Sequence, residues 1–180
     1  MSETKISERD SEVLKALPVV VSSILPRYCF DFSSMSESLE EGKGNCLAYM
    51  KWGGAVLETL GFSQPWYCAL SCYISDESTA EVEHGWLVMP DIPAYFDSED
   101  GLVLDCISSG GDLGRLARSR GENPVYSEQY LSFHNPLTYP TYRYNNFYPG
   151  SEIQYPEFAA NKILEIIANN SDLAHLSRDA

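Results

Sequence analysis

Three residues of this 180-residue chain have the types and the order that thiol-based acyl transfer requires: Cys46, His84 and Asp105. Cys46 lies in "GKGNCLAYMKWGG" (42–54), where a Gly-framed approach gives way to a helical pattern. A cysteine at a helix start meets unpaired N–H groups and the positive end of the helix dipole, and both favour thiolate. The thiol then needs an imidazole to take its proton, and the imidazole needs a carboxylate or amide to hold its tautomer. The chain has only three histidines. His84 opens a strand-like run 38 residues after the cysteine, and Asp105 ends the next such run 21 residues further on. A cysteine atop a helix with these two on neighbouring strands can meet that geometry.

Acyl chemistry also needs a donor for the developing oxyanion. The backbone N–H of Cys46 is one candidate and the Asn45 side-chain amide a second; Asn45 suits a helix N-cap equally well. Trp86 shares the His84 face and would either wall the site or pack in a core. His134, in "FHNP" with Asn135 beside it, is the rival base, although its setting reads as a turn. His175 lies in a polar C-terminal stretch. Cys68 and Cys72, spaced C-x3-C with His84 beyond, lack a fourth zinc ligand and share a strand face by parity alone. No metal or cofactor is expected. "SSGGDLG" lacks the Lys-Ser/Thr of a phosphate-binding loop.

The elements that would position these residues follow from periodicity. Cys46, Met50, Gly53, Leu57 and Leu60 recur at helical spacing, with Leu47 and Val56 widening the stripe and Gly61 as the stop. The pair Gly53-Gly54 calls for a close neighbour on that face, as a sheet would provide, because each glycine weakens a helix by about 1 kcal/mol. "WYCALSCYI" (66–74), "HGWLVM" (84–89) and "LVLDCI" (102–107) read as strands, with His84, Trp86 and Val88 on one face and Leu87 and Met89 on the other. "STAEVE" (78–83) reads as a turn and "PDIPAYFDSEDG" as a loop. Upstream, 11–25 reads as a helix broken or ended near Pro18, and "DFSSMSESLEEGKGN" as a loop with at most one helical turn. "EFAANKILEIIAN" (157–169) reads as an amphipathic helix entered through Pro156. A single α+β domain over 11–180 is expected behind a flexible tail at 1–10, its sheet mainly antiparallel.

The stretches "GNCLAYMKWGGAVLETLG", "EHGWLVM" and "GLVLDC" together resemble the core of the transglutaminase-like and papain-like cysteine hydrolases, nearest in character to small phage and bacterial members of unknown activity. The resemblance covers about residues 42–107. It implies a cysteine-bearing central helix packed on an antiparallel sheet, with Cys46 as nucleophile, His84 as general base and acid, and Asp105 as its orienting carboxylate. Cys106 stands where those proteins usually turn through proline or threonine. Amide chemistry on a protein or peptide substrate is the implied activity: peptidase, amidase, deamidase or transglutaminase-type.

Composition narrows the partners. The formal net charge is −14 and no basic cluster offsets it, which argues against nucleic acid and anionic membranes. "VLKALPVVVSSIL" is too short to span a bilayer and contains Lys15 and Pro18. "MSETKISERD" lacks the apolar core of a signal peptide. A cytoplasmic protein with reduced thiols is expected, with delivery by a specialised secretion system left open. The acidic runs "ESLEE" and "DSED" read as solvated surface. The tyrosine-rich stretch after residue 125 reads either as a recognition surface or as a layer closing the sheet. The alternative to an enzyme is a catalytically inactive member of the fold that binds proteins through its acidic and tyrosine-rich surface.

Overall fold

The computed structural model describes residues 6–74, 81–89, 91–92, 94–98, 101–104 and 142–178. Among these, four α-helices and a five-stranded antiparallel sheet make a mixed α+β fold.

Helix α1 spans Glu8–Ile24 and starts earlier than the sequence suggests. Ser7 caps it, its hydroxyl accepting the Asp10 N–H at 2.9 Å, and the Asp10 side chain is fully buried. Residues 6–10 are therefore anchored rather than part of a tail. Pro18 sits inside the helix and does not end it. An interior proline costs about 3 kcal/mol, but Val13, Leu14, Leu17, Val20, Val21 and Ile24 all bury on one side, and that burial outweighs it.

The acidic loop contains a short helix, α2 (Met35–Glu41), capped by Ser34 and closed by Gly42 at φ 61°. Two short strands flank it, β1 (Arg27–Tyr28) and β2 (Lys43–Gly44), paired in parallel. Neither stood out in the sequence, since two residues carry no periodicity. Helix α3 (Cys46–Thr59) ends at Leu60, with Gly61 at φ 68° as the expected stop. Helix α4 (Glu157–Asn169) follows Pro156, as expected.

The sheet comprises β3 (Tyr67–Ile74), β4 (Glu81–Met89), β5 (Ala94–Asp97), β6 (Gly101–Leu104) and β7 (Tyr142–Pro149), in the spatial order β6-β5-β4-β3-β7. Strand β4 begins at Glu81, three residues before the sequence-based start, and β5 occupies part of the expected loop. Both prolines of that loop precede β5, so "AYFD" is free to pair on both sides, with β4 and with β6. Helix α3 lies on β4 and β5, with α1 and α4 packed around it.

The double glycine marks the closest approaches. A Cβ at Gly53 would come within 2.7 Å of Leu87 Cδ1 and 3.0 Å of Phe96 Cδ1. At Gly54 it would collide with the Tyr155 hydroxyl and lie 3.2 Å from Trp66 Cζ3. The expected close neighbours exist, though side chains rather than backbone supply them.

Candidate active site

Cys46 is the first residue of α3 and is 7% exposed. The chain reaches it along β2, and Asn45 forms the N-cap: Oδ1 accepts the N–H groups of Leu47 at 3.1 Å and Ala48 at 3.2 Å. The other half of the Asn45 amide donates to the Phe30 carbonyl at 3.3 Å. The observed bonding of Asn45 is thus that of a cap tied to the segment before α2. An oxyanion role would have to draw on its remaining amide hydrogen.

Strand β4 passes this helix start at Gly85. A Cβ there would lie 2.8 Å from Leu47 Cδ2 and 3.3 Å from Met50 Sδ, so Gly85 faces α3 at the level of its first turn. Leu87 faces it again one step on, beside Gly53. His84 is the neighbouring backbone position, paired across to Ser71 of β3. The fold therefore brings Cys46 and strand position 84 to the same end of α3. Alternation along β4 assigns positions 84, 86 and 88 to the sheet face opposite α3. Trp86 and Val88 are buried there, at 3% and 0% exposure. Asp105, His134 and Cys106 lie outside the described residues.

One carboxylate of the "DSED" run, which reads as solvated surface in the sequence, is buried instead. Asp97, at the end of β5, is 2% exposed. Phe96 faces α3, so alternation gives Asp97 to the second face, and continuing the Leu87↔Phe96 register sets it beside Trp86. Its place inside a presumed proline-rich loop hid it; the pattern of "AYFD" was the available signal.

The remaining described thiols differ from Cys46 in setting. Burial pushes the Cys68 thiol up to about 11, against a smaller opposing pull from the Tyr155 hydroxyl 3.9 Å away. Burial also raises the Tyr155 phenol, with Cys68 adding to the effect. Cys29 is half-buried on the approach to α3. Burial, with Cys29 second, raises the Tyr49 phenol, whose hydroxyl donates to the Leu25 carbonyl at 2.8 Å.

A cleft of about 340 Å³ lies at the far end of α3, lined by Glu58, Phe62, Gln64, Trp66 and Tyr67 among others. It is not contiguous with Cys46 along the helix. Among the described residues no three His, Cys, Asp or Glu side chains gather as a metal site, and no helix is long and apolar enough to cross a membrane. No family model matches the chain, and comparison with curated proteins and with solved structures finds no significant match.

Proposed function

We propose that the protein is a cysteine-dependent acyl-transfer enzyme acting on amide bonds, with Cys46 as nucleophile and His84 as general base and acid. The observation that carries this reading is the seating of the first turn of α3 on β4 at Gly85, one residue from His84. In the reaction His84 takes the thiol proton as Sγ attacks the carbonyl carbon, and the tetrahedral intermediate holds its oxyanion at the helix start. Collapse breaks the C–N bond; the leaving amine takes the proton from His84, and the acyl group remains on Cys46 as a thioester. Water releases it as an acid, or a second amine captures it. Asp105 is the proposed orienting carboxylate for His84. The proposal demands that the chain at His84 depart from the alternation of β4, so that the imidazole comes round to the α3 side.

Iodoacetamide alkylation followed site by site against pH tests the thiol. Cys46 labels well below pH 8 and more slowly in His84→Ala, while Cys68, with its raised pKa of about 11, stays silent in the native state and serves as an internal control. Equal labelling of Cys46 with and without His84 would sink the dyad. An engineered His84→Cys, oxidised under native conditions, tests the orientation: bridging to Cys46 requires Cα atoms within about 7 Å and converging Cβ vectors.

The second reading is an inactive member of the fold that binds proteins through its acidic and tyrosine-rich surface. The alternation that turns position 84 toward the Trp86 face favours it. Partner capture that survives Cys46→Ser, together with a failed His84→Cys bridge and no turnover of amide substrates, would select it.

A further inference from the structure

The walls of the cleft at the C-terminal end of α3 are fixed from several directions. A Cβ at Gly150 would collide with the Trp66 indole, and the Gly150 N–H donates to the Trp66 carbonyl at 2.8 Å. The indole also stacks on Tyr155, with ring centroids 6.4 Å apart. Phe62 is tied to the helix end by its N–H, which donates to the Leu57 carbonyl at 2.9 Å. The buried Asp10 carboxylate holds Ser63 through its N–H and hydroxyl and Gln64 through its side-chain amide. A carboxylate only accepts, so Gln64 turns its NH2 to Asp10 and keeps its amide oxygen as an acceptor. Among the described residues that line the cleft, Glu58 carries the only formal charge. It lies in the last turn of α3, is exposed, and makes no hydrogen bond or ion pair. Its charge reaches the wall, adding to the upward shift of the Tyr155 phenol that burial and Cys68 produce. The nearby cation, Arg9, is taken up by the carbonyls of Leu60 at 3.1 Å and Leu176 at 3.2 Å.

A preformed cleft of about 340 Å³ suits a small molecule or a single side chain. Its charge selects a cation: the free carboxylate, the negative end of the α3 dipole and the net charge of −14 all act in that direction. Its aromatic walls select a cation that is weakly hydrated and flat. A guanidinium is planar, packs well on aromatic rings and offers several N–H donors, which a carboxylate and an amide oxygen can share. We propose that this cleft binds a guanidinium group, with Glu58 as its counter-ion, the Gln64 amide oxygen as a second acceptor and the Phe62 and Trp66 rings as apolar walls. The group arrives either on a small guanidino compound or on an arginine side chain of a peptide. The site is independent of the acyl-transfer reading, since Glu58 lies about 18 Å along α3 from Cys46.

The test compares a cation with its neutral twin. Wild-type protein is titrated with N-acetyl-arginine methylamide and with N-acetyl-citrulline methylamide, and binding is followed by the NMR shift of the Trp66 indole N–H. The arginine compound moves that signal and binds about fivefold more tightly than the citrulline one, the ratio expected for one partly exposed ion pair. Glu58→Gln brings the ratio close to one with the urea midpoint unchanged, because the carboxylate makes no bond within the fold. Glu40→Gln, which removes an exposed charge on α2 outside the cleft, leaves the ratio as in wild type. Ser151→Phe, which fills the cleft from an exposed position, abolishes the Trp66 shift and gives a second reading. Equal affinity for the two compounds, shifts centred away from Trp66, or a loss in Glu40→Gln as large as in Glu58→Gln overturns the site. Ethylguanidinium assigns the source and keeps the site in either case: affinity equal to that of the arginine compound means a small guanidino ligand, and weaker affinity means a peptide arginine.

Discussion

Helix α3 is held in different ways along its length. At its start Leu47 and Met50 also rest on Gly85, but polar, directional bonds are added: Asn45 caps the first turn, and backbone bonds tie β2 and Asn45 to residues 29–32. Further on the contacts are apolar and close, with Gly53 pressed by Leu87 and Phe96 and Gly54 by Tyr155 and Trp66. Packing in the second region anchors the helix, and hydrogen bonds in the first orient its end. The difference teaches where substitutions should act: changes in the body should move stability, and changes at the start should move thiol chemistry with a smaller effect on stability.

The largest expected effect is at Trp52, which is fully buried and whose indole N–H donates to the Ser38 hydroxyl at 3.0 Å, joining α3 to α2. Trp52→Ala should destabilise the protein by about 3–5 kcal/mol, read as a fall in the urea midpoint. A loss under about 1 kcal/mol would mean that the body of α3 is not the anchor.

Next is Asp10, which ties α1 to the loop that follows α3. Its carboxylate accepts the Ser63 N–H at 2.7 Å, hydroxyls of Ser63 and Ser7 at 2.6 and 2.8 Å, and the Gln64 amide at 3.3 Å. Burial alone would raise its pKa, but these hydrogen bonds together, led by Ser63, hold it below the usual carboxylate value. Asp10→Ala should cost about 2 kcal/mol at neutral pH. A folded pKa below the unfolded one gives stability that is fully present above the unfolded value of about 3.9 and lost as pH falls through the folded value. Urea midpoints measured from pH 6 down to pH 2.5 should therefore fall less steeply in Asp10→Asn than in wild type. Parallel curves would remove Asp10 from the acid response.

Gly53→Ala sets two effects against each other. Alanine gains about 1 kcal/mol in helix propensity, whereas its Cβ must displace Leu87 and the Phe96 ring from 2.7 and 3.0 Å. Overpacking costs about 1–3 kcal/mol, so a net loss near 1 kcal/mol is expected by thermal or urea unfolding. A stabilised variant would show that the helix–sheet contact yields, and would weaken the distinction between the two regions.

The longer elements were legible in the sequence because their burial repeats. The stripe from Cys46 to Leu60 and the glycine stop at Gly61 mark α3 without ambiguity, and Pro156 marks the entry to α4. What escaped was decided by tertiary context. Pro18 reads as a breaker, yet an apolar face of α1 overrides it. "AYFD" reads as loop because two prolines precede it and an acidic run and Gly101 follow, yet two neighbouring strands supply its hydrogen bonds. At the site, Cys46 as a helix start and Asn45 as its cap were both visible from local signals. The facing of position 84 was not, since strand parity becomes meaningful only once Gly85 is seen against Leu47. The segment 28–32 gave no signal of its own, because its backbone is fixed only by pairing with residues 43–45.

The smallest stability effect should carry the largest chemical one. Asn45→Ala removes the acceptor for two helix N–H groups and should cost about 1 kcal/mol. Asn45→Asp keeps that acceptor but loses the amide N–H given to the Phe30 carbonyl, so its stability should fall between wild type and Asn45→Ala. The new carboxylate also places a negative charge beside Cys46, opposing thiolate through the same N–H groups that favour it. Alkylation of Cys46 at pH 7 should therefore slow by several-fold in Asn45→Asp, more than in the less stable Asn45→Ala. If the rate instead tracks stability across wild type, Ala and Asp, then Asn45 only holds the helix. If Asp slows the thiol more than Ala does while costing less stability, charge at the start of α3 acts on Cys46 apart from helix stability, and the separation between the body of the helix and its end holds.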